Sequence, residues 1–300
     1  MLDEQQHEQE QQERSMNAAS QWRYALAQRI APILATQPGV EAIMLAGSAS
    51  RGNADRYSDF ELGIFWSRPP TDEDRLAPIE LCGGILWELD EYNERDEIWM
   101  GEWGISGVKM DVRNLTSEKM ERIISDVVEH YDTDYFKHTT LSALQHAFPL
   151  HNAPLIIAWQ QRIAHYPDKL ARAVVEAHLD LTEWPWFAEV QLARGDIHLL
   201  YQSFSEAIEE LLGMLIGLNH LYHPGLKWLD RLTQDLAIAP PDLAKRIRSV
   251  FRCEPLAGML KLKMLILDVY ALIEQHMPEI EVATARQRFL RWREPFDELR

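Results

Sequence analysis

The stretch that decides the fold runs from residue 47 to residue 66 and reads Gly-Ser-Ala-Ser-Arg-Gly-Asn-Ala-Asp-Arg-Tyr-Ser-Asp-Phe-Glu-Leu-Gly-Ile-Phe-Trp. An apolar run over Val40–Ala46 leads into its Gly-Ser turn, and a second apolar run begins at Asp59. Because side chains alternate between the faces of a strand, we expect Asp59 and Glu61 on one face, with Cα atoms ~6–7 Å apart. Two acids placed side by side on a strand repel each other. A divalent cation is the simplest compensation.

This stretch resembles the signature of the DNA polymerase beta-type nucleotidyltransferase superfamily, in which a Gly-Ser pair precedes Asp-x-Asp or Asp-x-Glu by about ten residues. The Tyr-Ser-Asp-Phe-Glu form of residues 57–61 is similar to that of the kanamycin nucleotidyltransferase branch. The resemblance implies that Asp59 and Glu61 are catalytic and bind Mg²⁺. It also implies a set of residues that contact the nucleoside triphosphate, namely Gly47, Ser48, Arg51 and Ser58.

A two-metal site needs a third carboxylate from a neighbouring strand. Asp111 lies within the apolar run Val-Lys-Met-Asp-Val of residues 108–112, where an isolated acid needs a reason to be present. Members of the superfamily carry such a residue after the paired acids, and Asp111 is its best match. Glu88 is the second candidate, so the choice between the two acids stays open.

The patterns predict an α+β protein. Residues 1–15 are rich in Gln and Glu and are expected to be a flexible tail. Residues 16–135 are expected to form a polymerase beta-like nucleotidyltransferase domain, a mixed sheet with helices. Residues 136–300 are expected to form an all-helical domain that binds the acceptor, since no strand-like alternation is visible there and prolines divide the helices.

One segment of the second half is informative. A long apolar helix is predicted to end near Asn219, and residues 218–228 follow a Leu-Asn-x-x-Tyr-x-Pro-Gly-x-Lys-Trp pattern. This pattern resembles the helical domain of bacterial nucleotidyltransferases related to antibiotic-modifying enzymes, which implies that Lys227 contacts the triphosphate. Glu176 and Glu183 are candidates for an additional general base.

The composition of the chain limits the classes of molecule that we expect it to bind. The chain has 30 Lys and Arg against 47 Asp and Glu, a formal charge of −17, which disfavours nucleic acid and favours a cationic small molecule. Two cysteines do not suggest a disulfide framework. No apolar run is long and uninterrupted enough to span a bilayer, and the start of the sequence has no signal-peptide pattern. We therefore expect a cytoplasmic protein without a membrane partner.

Together these features predict transfer of a nucleoside monophosphate, AMP from ATP, to a hydroxyl of a small cationic acceptor such as an aminoglycoside. Pyrophosphate would be released, and two Mg²⁺ ions would assist. The alternatives are a nucleotidyltransferase that modifies a protein, as toxin–antitoxin members do, and a nucleotide-binding module without turnover. A polymerase or tRNA nucleotidyltransferase is disfavoured by the charge.

Overall fold

The strands within residues 16–294 form one six-stranded mixed sheet with the order β3-β4-β5-β2-β1-β6. A computed structural model describes residues 16–294, so the predicted tail of residues 1–15 lies outside the described residues. The strands are β1 (Val40–Ala46), β2 (Phe60–Trp66), β3 (Ile85–Leu89), β4 (Trp99–Ile105), β5 (Val108–Thr116) and β6 (Phe148–His151). Strands β2 and β5 pair in parallel, and the other neighbours pair antiparallel.

The central strands are buried on both faces, which explains their nearly continuous apolar sequences. One face packs against α1 (Ala18–Leu34), whose buried Leu26, Ile30 and Leu34 recur every fourth residue. Asn17 caps this helix by accepting a hydrogen bond from the backbone N–H of Ser20 at 2.9 Å.

The helices that follow β1 and β2 in the sheet region are mostly short. They are α2 (Gly47–Ser50), α3 (Asp72–Leu81), α4 (Ser117–Val128), α5 (Tyr135–Gln145) and α6 (Ala153–Ile163). Thr116 caps α4 by accepting a hydrogen bond from the backbone N–H of Lys119.

The expectation that no strand lies beyond residue 136 is wrong at β6. Its Phe148 and Pro149 pair with Leu45 and Met44 of β1 at the edge of the sheet. Four residues are too few to show an alternation in sequence. Proline is tolerated there because an edge strand leaves one row of backbone groups without a ladder partner.

The remaining chain is helical, as predicted. Its helices are α7 (Asp168–His178), α8 (Trp184–Arg194), α9 (Ile197–Leu218), α10 (Leu229–Asp235), α11 (Leu243–Arg252), α12 (Pro255–His276) and α13 (Val282–Phe289). The sheet followed by helices confirms the α+β class. None of the helices in residues 16–294 is long and apolar enough to cross a membrane.

The chain divides into two compact units. One contains the described residues up to His130 together with Thr140–His165, and therefore holds the whole sheet. The other contains Tyr131–Thr139 and the described residues from Tyr166 onward. In this second unit the buried α9 packs against α7, α8 and α12.

Candidate functional site

A row of carboxylates crosses four strands of the sheet. Glu61 of β2 lies opposite Asp111 of β5, Asp111 lies opposite Glu102 of β4, and Glu102 lies opposite Glu88 of β3. Residues that lie directly opposite each other across a ladder carry their side chains on the same face. Asp59 lies immediately before β2, two residues ahead of Glu61, and its carboxyl group interacts with that of Asp111. The sheet thus brings Asp59, Glu61 and Asp111 to one face.

The carboxyl groups of Asp59 and Asp111 lie close enough to form a hydrogen bond when one of them is protonated. Burial, and after it this hydrogen bond to Asp59, raise the pKa of Asp111 to about 6. Two carboxylates this close cannot both be ionised without cost, so Asp111 loses its proton at a higher pH than an isolated carboxyl group. The side chain of Asp111 is only 20% exposed, which limits relief by water.

Lys109 neutralises part of the row. Its Nζ lies 2.7 Å from Oε1 of Glu102 and 3.0 Å from Oδ1 of Asp111. These two carboxylates raise the pKa of Lys109, so the ammonium stays charged. The sequence analysis did not select Lys109, although its position two residues before Asp111 on a strand places both on one face.

The turn after β1 presses against Glu61. Gly47 has a φ of +71°, and a Cβ at this position would lie 2.7 Å from Cδ and 2.8 Å from Oε1 of Glu61. Only glycine allows both this conformation and this approach. The hydroxyl of Ser48 has no recorded contact with the acids, but its carbonyl accepts from the N–H of Asn53 at 2.9 Å, which closes the loop that follows.

Arg51 and Ser58 make local contacts. Nη2 of Arg51 donates to Oγ of Ser142 at 2.8 Å and to the Ser142 carbonyl at 3.2 Å, which ties the loop to α5. Oγ of Ser58 accepts from the N–H of Asp55 at 2.9 Å and donates to Oδ1 of Asp55 at 3.1 Å. Ser58 therefore closes the turn that delivers Asp59 to the carboxylate face.

A buried arginine of helix α1, Arg23, holds the same turn by hydrogen bonds. Arg23 is 5% exposed and donates to three backbone carbonyls: Ala19 at 2.9 Å, Asp55 at 3.0 Å and Ser58 at 3.1 Å. The sequence analysis missed Arg23, since one arginine in an amphipathic helix carries no signal of burial. It acts on the site through the turn and is a positioning residue.

We expect Arg23→Met to lower the free energy of unfolding by about 2–3 kcal/mol, because buried carbonyl oxygens lose their donors. Arg29→Met is the control, since Arg29 lies exposed on the same helix. Urea denaturation of both variants measures the difference. Equal stability of the two variants would contradict the role assigned to Arg23.

The donors on the carboxylate face are oxygen atoms, the ligand type that Mg²⁺ prefers. Within the described residues, no group of three or more His, Cys, Asp and Glu side chains is arranged to hold a metal ion. The carboxylate of Glu61 lies against Gly47, and Asp111 is ion-paired with Lys109. A divalent cation held by Asp59 and Asp111 would remove the repulsion that raises the pKa of Asp111, so the chemistry of this pair fits such an ion.

Three residues of the helical half were predicted to have a role, Glu176, Glu183 and Lys227, and they lie in different segments with different surroundings. Lys227 is exposed in the segment that precedes α10. Glu176 is ion-paired with Arg172 at 2.8 Å. Glu183 is buried and ion-paired with Arg293 and Arg291, and these arginines lower its pKa. A carboxylate held in this way is a weak base.

Comparisons with known proteins add the following. Residues 135–229 match the sequence model of a family described as a domain of unknown function, DUF4037. A search of curated proteins gives no match. Among solved structures, the chain is similar to the nucleotidyltransferase-like protein from Exiguobacterium sibiricum 255-15, with 10% sequence identity and a TM-score of 0.41. That similarity covers 85% of this chain and 78% of the other.

Proposed function

We propose that this protein is a Mg²⁺-dependent nucleotidyltransferase that transfers a nucleoside monophosphate, AMP from ATP, to a hydroxyl of a small cationic acceptor and releases pyrophosphate. The observation that carries the proposal is the placement of Asp59, Glu61 and Asp111 on one face of the sheet, where β2 and β5 pair in parallel. The turn at Gly47 lies against this face. The motif in residues 47–61 supports the same reading.

We assign the metal-binding role to Asp59, Glu61 and Asp111, with two Mg²⁺ ions expected. Bound Mg²⁺ would neutralise phosphate charge and lower the pKa of the attacking hydroxyl. Asp111 would accept the proton of that hydroxyl when its own carboxyl is ionised. We also propose that five residues contact the nucleotide: Gly47, Ser48, Arg51, Ser58 and Lys227. The assignment of the site depends on the three carboxylates and not on these five residues.

The proposed acceptor is a polyamine-like sugar such as an aminoglycoside. Glu102 and the exposed Glu88 extend the carboxylate row beyond Asp111 toward the edge strand β3. Ammonium groups of an acceptor would find opposite charge there, in a chain whose net charge is −17. Carboxylates near the surface also favour fast association with cations.

The test is pyrophosphate release from each of the four nucleoside triphosphates in the presence of Mg²⁺ and pooled aminoglycosides. Release that requires a pooled compound supports the whole proposal, and dividing the pool identifies the acceptor. If no pyrophosphate is released but ATP and Mg²⁺ still bind, the result would support the nucleotide site and exclude aminoglycosides as the acceptor. Absence of any nucleotide binding would overturn the proposed function.

The proposal also predicts a pH dependence. Asp111, whose pKa is raised to about 6, must lose its proton before it can bind a cation. We therefore expect the apparent affinity for Mg²⁺ to be constant above pH 7 and to fall by about tenfold per pH unit below pH 6. Calorimetric titrations of the protein with Mg²⁺ from pH 5 to pH 8 measure this, because they do not require an active enzyme. Asp111→Asn should abolish the dependence, and an unchanged affinity at pH 5 would contradict the role of Asp111.

A further inference from the structure

A second polar site lies in the helical unit, between α11 and the start of α12. It is a cleft of about 270 Å³ lined by Lys245, Arg248, Ser249, Arg252, Cys253 and Lys261. Four of these six residues are cations. The sequence analysis did not find the cleft, because the charges come from two helices and the chain as a whole is acidic.

The cations are arranged along one face of α11. Lys245, Arg248 and Arg252 are spaced by three and four residues, so they lie above one another on the helix surface. Lys261 of α12 completes the lining. Seven residues of helix correspond to a length of about 10 Å. The cations thus form a row that one phosphate group could not span.

Most of this charge is uncompensated. Arg248 is ion-paired with Asp230. For Lys245, Arg252 and Lys261, no ion pair is recorded with any other residue between 16 and 294. Within residues 16–294, three of the four cations of the cleft therefore have no ion-pair partner. Like charges held this close repel one another, and an anion that binds between them removes the repulsion.

We propose that this cleft binds a small molecule that carries a chain of two or more phosphate groups. Each phosphate contributes between about one and two negative charges at neutral pH, so two or three phosphates match the excess charge of the cleft. Two arginines provide planar donor pairs for phosphate oxygens, and the lysines provide point charges. The volume suits a small molecule, and the acidic chain disfavours a long polyanion.

This site is independent of the carboxylate face, which needs Mg²⁺ to accept phosphates. The experiment is therefore isothermal titration calorimetry of the full chain with inorganic tripolyphosphate in the presence of EDTA. The wild type is expected to bind one molecule per chain. Asp59→Asn should bind equally well, which separates this proposal from the proposed function.

The variant Lys245→Gln/Arg252→Gln removes two charges from the cleft and should weaken binding by about 30-fold or more. The control Lys169→Gln/Arg194→Gln removes the same charge from exposed positions of the helical unit that do not line the cleft, and we expect its affinity within about twofold of wild type. Circular dichroism and thermal unfolding establish that both double variants are folded.

Three results would overturn the proposal: no binding by the wild type, the same loss of affinity in both double variants, or tight binding of an RNA oligonucleotide without binding of tripolyphosphate. The last of these would indicate a nucleic-acid surface. If binding is seen, repeating the titration with ADP and with pyrophosphate distinguishes a nucleotide ligand from an inorganic one.

Discussion

Replacing Asp59 with Asn should lower the rate of pyrophosphate release by about 10³-fold or more, while the protein stays folded. Asn has nearly the shape of Asp but carries no charge. The substitution also removes the negative charge that lies beside Asp111. A nucleotidyl transfer that depends on carboxylates to neutralise phosphate charge through metal ions loses most of its catalysis in this way. Steady-state kinetics with saturating ATP and Mg²⁺ measure the effect.

Two further variants test whether the effect belongs to the site. Glu88→Gln removes the same charge from the exposed end of the carboxylate row and should change the rate by less than about fivefold. Asp59→Asn/Asp111→Asn should be little worse than either single change, because residues that act as one unit are not additive. A rate of Asp59→Asn near that of wild type would remove Asp59 from the catalytic machinery. A large loss of rate in Glu88→Gln would indicate that Glu88 of β3, rather than Asp111, is the third carboxylate of the site.

The core of the site could be predicted because it depends on local rules. Strand alternation places Asp59 and Glu61 on one face, and the length of the apolar runs identifies β1 and β2. Asp111 was selected as the acid within an apolar strand, and the parallel register sets it directly opposite Glu61. The register itself could not be predicted from the sequence, because it depends on which strands pair and in which direction.

The parts that were missed depend on contacts between residues distant in sequence. Arg23 supports a turn more than 30 residues further along the chain, and only the fold shows that this arginine is buried. Strand β6 forms because β1 offers a free edge, since its four residues have too little pattern of their own. Lys109 lies between the carboxylates of Glu102 and Asp111 because β4 pairs with β5, and the sequence alone does not give that pairing.

The net charge of the chain is an average over its whole surface and does not give the sign of the charge at a particular site. A charge of −17 led to the expectation of a cationic partner, and the row from Glu61 to Glu88 agrees with it locally. The cleft on α11 has the opposite sign. Potentials at a surface are set by the charges within about one Debye length, roughly 8–10 Å, so the total charge does not describe either site.

Replacing Gly47 with Ala should lower pyrophosphate release by about 10²-fold, with only a small loss of stability. The added Cβ would lie 2.7 Å from Cδ of Glu61, so the carboxylate has to move. The end of a Glu side chain can turn aside at little cost to the fold, but it then leaves the face that it shares with Asp111. The expected loss of stability is about 1 kcal/mol and comes from the positive φ of +71°.

Gly107→Ala is the matched control. Gly107 also has a positive φ, +82°, in the two-residue turn between β4 and β5, but a Cβ there would meet nothing within 4 Å. Both variants should therefore lose similar stability, and only Gly47→Ala should lose activity. Thermal unfolding of the two variants measures the stability lost through the positive φ. Their kinetics measure the activity lost through the contact of the added Cβ with Glu61. If the two variants lost activity to the same extent, the close approach of Gly47 to Glu61 would have no part in catalysis, because the strain they share would account for the whole effect.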